Sequence, residues 1–177
     1  GRASGRETVA RVAAGAIAEK LIARAGIEVL AYTVAVGGVE IDRKKISADK
    51  NLIQQTRTNT LFCPDAEAAA AMEAKLAAAR QSGDSLGGVV EIIARNVPAG
   101  LGEPVFDKID ADLAKALMSI GTIKAVEVGD GCAVSHKSGS QVNDQMDKNG
   151  FQSNHAGGIL AGISTGQDII LRAHCKP

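Results

Sequence analysis

The chain has 177 residues, with 20 Lys and Arg against 20 Asp and Glu, so its formal net charge is zero. Apolar side chains make up 45 % and glycine adds 20 residues, enough for one sizeable core in a single domain and too apolar for a disordered chain. Zero net charge disfavours a general nucleic-acid binder, which needs surplus cations to displace phosphate counterions. One Tyr and three Phe exclude an aromatic base-stacking platform.

Val9, Val12, Ala13, Ala16, Ile17 and Leu21 recur at helical spacing, which predicts a helix over Thr8 to Ala25 with one apolar face. Ala10, Ala14, Gly15 and Ala18 keep its other side small, so packing on more than one side is expected. Gly26 follows as its stop, with Arg24 in the last turn. The β-branched run Ile27 to Gly37 then predicts a strand. Asp42 to Thr60 is polar and mixed in charge, an excursion on the surface. Asp65 is placed to cap a helix over Ala66 to Gln81, rich in Ala and broken by Gly83. Strand signals follow at Gly88 to Val97, then a short helix capped by Asp110 and reaching Ser119, then a strand at Thr122 to Val128. Ser135 to Asn149 lacks periodicity and is expected to be a mobile loop. Gly158 to Ile163 and Asp168 to Ala173 read as two strands joined through Ser164-Thr-Gly166. The class is mixed α and β, and the alternation of helix and strand favours parallel pairing only as a prior.

Cys63, Cys132 and Cys175 fall in no C-x-x-C pair and read as reduced thiols of a cytosolic protein. No apolar run reaches the ~18 residues of a membrane span, and no secretory h-region opens the chain. A first residue other than Met, and an end at Lys176-Pro177 directly after a strand, suggest a piece of something longer.

Ser4-Gly-Arg-Glu7 fits a capping box, and Arg2, Arg6 and Arg11 crowd the same helix start. Free amides, a partial positive charge and guanidiniums make this a candidate phosphate site; an ordinary solvated cap is the alternative. Three glycine-rich turns, residues 82–88, 97–104 and 154–162, match neither a P-loop nor a dinucleotide fingerprint, but allow backbone to approach a flat or phosphorylated ligand. Gly162-Ile-Ser-Thr-Gly166 imitates a nucleophile elbow. Its partners Asp168 and His174 would both lie on the strand leaving the elbow, whereas a triad needs them on one side of the serine from separate loops. His136, His155 and His174 show no metal spacing, and no acid/base pair is evident.

Several stretches resemble chorismate synthases: Gly1-Arg-Ala-Ser-Gly-Arg-Glu-Thr-Val-Ala-Arg-Val-Ala-Ala-Gly-Ala16, Gly83-Asp-Ser-Leu-Gly-Gly88, Val97-Pro-Ala-Gly-Leu-Gly-Glu-Pro-Val-Phe-Asp107, Met118-Ser-Ile120 and Gly150-Phe-Gln-Ser-Asn-His-Ala-Gly-Gly-Ile-Leu160. The resemblance runs over the whole chain in the family's order. It implies that residues 1–177 are the central part of a single chorismate synthase domain of α+β class, with helices packed between antiparallel sheets, which overrides the parallel prior. It implies elimination of phosphate from 5-enolpyruvylshikimate 3-phosphate to give chorismate, the last step of the shikimate pathway. With it come a need for reduced FMN, NADPH as a reductant in some members, a homotetramer in the cytoplasm, and no membrane or nucleic-acid partner.

Carried over position by position, the resemblance assigns flavin contacts to Arg2, Ala3, Ser4, Gly121, Thr122, Ala161, Lys176 and Pro177, and substrate contacts to Arg6 and Ser4. Ala3 stands where the family has a second serine, Gly121-Thr122 where it has Asn-Ala or Pro-Ala, and Ala161 where it has Gly. No residue matches the family's catalytic acid/base positions, so no catalytic residue is assigned, and the 177 residues alone are expected to be nearly inactive. A folded assembly fragment that does not bind FMN is the competing expectation.

Overall fold

The computed structural model describes residues 5–46 and 52–177. Its centre is a five-stranded antiparallel sheet in the order β2-β1-β3-β9-β4, formed by β1 (Glu28–Val36), β2 (Val39–Glu40), β3 (Gly88–Arg95), β4 (Ile123–Val128) and β9 (Ile169–Cys175). β3 and β4 each run antiparallel to β9, so they run parallel to one another with β9 between them. The crossover suggested by the helix between them is real, and the slot it leaves is filled by a later strand. No local pattern contains that information.

Alternating side chains give the sheet two covered faces. On one, Leu30, Tyr32, Val34 and Ile93 pack with Leu52 of α2 (Leu52–Thr56) and Ala68, Ala69 and Met72 of α3 (Ala66–Gln81). Leu52 is 1 % exposed, so the stretch expected to be a surface excursion contributes a core residue. Asp65 caps α3 through bonds from the Glu67 and Ala68 amides, as its spacing predicts. On the other face, Ile109, Leu113 and Leu117 of α4 (Ile109–Met118), four apart and so on one stripe, pack with Ile92, Ile169 and Leu171. Asp110 is not the cap of α4. Lys108 occupies that position without a side-chain bond, and Asp110 lies inside the first turn.

α1 (Thr8–Ala23) has the expected helical spacing but not the expected packing. Val9, Val12, Ile17 and Leu21 are 67–74 % exposed, because no other described element lies over its apolar stripe. Gly26, at φ +78°, ends it. The run expected to be one strand from Gly158 is a hairpin of β7 (Ile159–Leu160) and β8 (Ile163–Ser164), turned by Ala161 and Gly162, both at positive φ. The expected irregular loop contains α5 (Gly139–Val142) and β5 (Met146–Asp147), which pairs with β6 (Gly150–Phe151). The Asp144 carboxylate accepts from the Ser153 hydroxyl and the His155 and Ala156 amides.

One row of direct partners crosses four strands: Tyr32, Glu91, Arg172 and Glu127. Glu91 is 3 % exposed, yet it accepts from the Tyr32 hydroxyl at 2.6 Å and Arg172 Nε at 2.9 Å, and pairs with Arg43 at 2.8 Å. Burial pushes its carboxyl up, but the bonds from Arg43 and Tyr32 and the guanidinium charges outweigh this and hold it below the usual range. Burial and the same hydrogen bond push the Tyr32 phenol well above its usual value.

Candidate functional site

Four strand and helix ends converge at one edge of the sheet. β9 finishes at Cys175, β3 begins at Gly88, β4 begins at Ile123, and α4 ends at Met118. The Lys176 amide donates to the Thr122 carbonyl at 2.9 Å, which joins two predicted flavin-contact segments 54 positions apart in the chain. Gly87 closes the group: a Cβ there would sit 2.7 Å from the Cys175 carbonyl oxygen and 3.2 Å from Pro177 Cδ, so only glycine permits this approach. Gly121 has open space around its Cα, and Thr122 is a β-branched residue at φ +78°, a strained conformation of the kind that collects at ligand sites.

The start of α1 reaches the same edge. Arg11 Nη1 donates to Ser119 Oγ at 2.8 Å and Nη2 to the Ser119 carbonyl at 3.1 Å, while Nε bonds both Glu7 carboxylate oxygens at 3.1 Å. Glu7 thus pairs with Arg11 across one helical turn. Its partner in the expected capping box, Ser4, lies outside the described residues, as do Arg2 and Ala3. Arg6 is exposed in the 3-10 turn Gly5–Glu7. The amino end of α1 carries a partial positive charge, and with the exposed Arg6 beside it, it suits an anion.

Ala161 stands apart from this group. Its hairpin meets the beginning of α4, where the Ile109 amide donates to the Gly162 carbonyl at 2.9 Å, whereas Thr122 follows the other end. The ten residues of α4 place the two about 15 Å apart along its axis. Only a ligand of that extent reaches both.

The second glycine-rich region is structural. Ser164, 3 % exposed, donates its hydroxyl to the Pro98 carbonyl at 2.6 Å and accepts from the Leu101 amide at 2.9 Å, so the imitation elbow holds no nucleophile. His155 Nδ1 lies 2.8 Å from Asp130 Oδ2, which also binds Lys137. A cavity of about 510 Å³ opens beside the charged row, but Arg43, Arg172 and Lys137 on its wall are already paired with Glu91, Glu127 and Asp130. Among the described residues no cluster of His, Cys, Asp and Glu could hold a metal, and no helix is long and apolar enough to cross a membrane.

The sequence model of the chorismate synthase family matches residues 1–177. The chain belongs to that family. It is 56 % identical over 177 residues to the chorismate synthase of Syntrophus aciditrophicus, covering all of this chain and 49 % of that protein. To the enzyme of Syntrophobacter fumaroxidans it is 57 % identical, covering 48 % of that protein. A crystal structure of a chorismate synthase superposes with a TM-score of 0.89 at 35 % identity, over 99 % of this chain and 56 % of the other. The chain therefore spans about half the length of the curated relatives it matches. The mixed α+β fold with an antiparallel sheet is that of the solved chorismate synthase.

Sequence reasoning missed Arg11 with Ser119, and Asp144. The first pair is 108 positions apart and has no local signature; Asp144 sits among polar residues without periodicity. The charged row had a visible signal that went unused: Glu91, Arg172 and Glu127 each stand between two apolar neighbours in a strand.

Proposed function

We propose that this chain carries the flavin- and substrate-binding part of a chorismate synthase, which converts 5-enolpyruvylshikimate 3-phosphate to chorismate by losing phosphate and a C6 hydrogen. The carrying observation is the convergence of three family motifs at one sheet edge through Lys176–Thr122 and Arg11–Ser119. The residues there fit a reduced FMN: open backbone at Gly121, left-handed backbone at Thr122, and cationic Lys176 and Arg6.

Arg2, Ala3, Ser4, Gly121, Thr122, Ala161, Lys176 and Pro177 would hold the flavin, and Arg6 and Ser4 would hold the substrate's anions. When bound, reduced flavin would supply transient electron density, with the net reaction redox-neutral. NADPH is its reductant where a member reduces its own flavin. The protein works as a cytoplasmic homotetramer. The chain's own contribution is to bind and orient: its cations neutralise the substrate's charge, and the strained loop presents backbone groups without reorganising.

No residue of this chain matches the family's acid/base positions, and such groups contribute ~10²–10⁴-fold, so the 177 residues by themselves turn over at least about a hundredfold slower than the complete polypeptide that carries them. Incubating the complete polypeptide anaerobically with reduced FMN and the phosphorylated substrate tests the reading. Equal amounts of phosphate and chorismate are expected, and release of neither overturns it. A sharp thermal transition indifferent to FMN would instead favour a folded assembly fragment.

A further inference from the structure

We propose that Arg11 is a positioning residue of this site, which fixes the start of α1 against the Ser119–Thr122 loop; the inference rests on the flavin and substrate reading above. Among the described residues, α1 has side-chain hydrogen bonds to the turn just before it, from Thr8 to Gly5 and from Arg11 to Glu7, and the two bonds from Arg11 to Ser119 are the only ones to a part of the chain distant in sequence. The apolar stripe of α1 does not help, since Val9, Val12 and Ile17 are all more than 70 % exposed. Within these 177 residues, the placement of the helix start that bears Arg6 therefore rests on this guanidinium. Ser119 lies three positions before Thr122, whose carbonyl holds the Lys176 amide. Arg11 at one end and Lys176 at the other grip a single four-residue loop, so a shift in either is passed to Gly121 and Thr122.

The guanidinium does two things that an ammonium cannot do together. It divides its donors between Glu7 on its own helix and Ser119 on the loop, using the planar fork that lysine lacks. It also places a positive charge on the terminal carbonyl of α4, where the helix dipole is negative and would otherwise repel an anionic ligand.

The test uses the complete polypeptide that carries this segment, in wild-type form and as Arg11→Met, Arg11→Lys, Ser119→Ala and the double variant Arg11→Met/Ser119→Ala. Reduced-FMN affinity is read by anaerobic titration, kcat and KM by chorismate formation, and folding by thermal melting. Misplacement of a reacting group by about 1 Å costs on the order of a hundredfold. Arg11→Met is expected to lose ten- to a hundredfold in kcat/KM and to weaken flavin binding, with its melting temperature unchanged. Arg11→Lys recovers only part of this, and the double variant is no worse in flavin affinity and turnover than Arg11→Met, which has already removed the Arg11–Ser119 bond that Ser119→Ala deletes. The Ser119 hydroxyl's own bond to the Ala116 carbonyl is read in the melting temperature of Ser119→Ala. Three outcomes overturn the proposal: Arg11→Met with wild-type affinity and turnover, losses that simply follow the melting temperature, or losses from Arg11→Met and Ser119→Ala that multiply in the double variant. A wild-type polypeptide that binds no reduced flavin overturns the flavin reading and this inference with it, whereas wild-type binding with an indifferent Arg11→Met overturns this inference alone.

Discussion

Replacing Glu91 by Ala removes the centre of the charged row that holds β9 in register, and with it the strand that delivers Lys176. The cost follows from what is left behind. Arg43, 53 % exposed in its side chain, can turn to water at little expense. Arg172 is only 18 % exposed but keeps Glu127 at 3.3 Å. The Tyr32 hydroxyl, in a residue 5 % exposed, keeps no partner, at about 1–3 kcal/mol. With the weakened guanidinium, the total is about 3–5 kcal/mol, as expected when one member of a buried charged group is removed, and a large part of a typical domain stability of ~5–15 kcal/mol. The assay is urea unfolding followed by far-UV circular dichroism, with Tyr32→Phe made in both backgrounds. In the wild type Tyr32→Phe costs about 1 kcal/mol because it removes a donor to Glu91. In Glu91→Ala it should raise stability, because it deletes a buried hydroxyl with nothing to bond. A Glu91→Ala cost under about 1 kcal/mol, or the same sign for Tyr32→Phe in both backgrounds, refutes this reasoning.

Leu52→Ala should cost about 2–5 kcal/mol by leaving a core void, whereas Ile17→Ala on the open stripe of α1 should cost less than about 0.5 kcal/mol; equal losses in denaturant midpoint would contradict the packing described. Gly157→Ala is expected to lower the melting temperature, because Gly157 sits at φ +65° and an added Cβ would collide with the Gly129 backbone; an unchanged transition would show the turn to be slack. Burial raises the Glu127 carboxyl, but bonds from the Cys132 amide and thiol, His174 and Arg172 lower it to about 2 from a usual 4.5. A depressed carboxylate stabilises above its unfolded value and loses that contribution as pH falls. Stability should therefore fall as pH drops from 4.5 towards 2, and Glu127→Gln should flatten that slope in acid titrations.

Local signals in the sequence were enough to find α3, because Asp65 and a run of Ala settle its start and propensity without outside help. They found α1 as a helix but not its surroundings, since periodicity reports an apolar stripe and not what covers it. The 158–163 run misled because an apolar sequence hides a turn: Ala161 takes positive φ without being glycine. Sheet order was illegible for a physical reason: β9 slots between β3 and β4 through pairings 75 to 87 residues apart on one side. The flavin contacts were legible only through family resemblance, which named Gly121, Thr122, Lys176 and Pro177; Arg11 was visible at the helix start, but its bonds to Ser119 were not. Residue types and spacing alone reached an anion-friendly helix start and stopped there, because the bonds that assemble the edge join distant segments.

The most direct test of the account is an anaerobic titration of this 177-residue chain with reduced FMN, with and without 5-enolpyruvylshikimate 3-phosphate, followed by flavin absorbance. Saturable micromolar binding, about −8 kcal/mol, is the expected result, with phosphorylated substrate tightening it and little chorismate formed. Absence of any saturable change at millimolar flavin would contradict the claim that these residues hold the flavin.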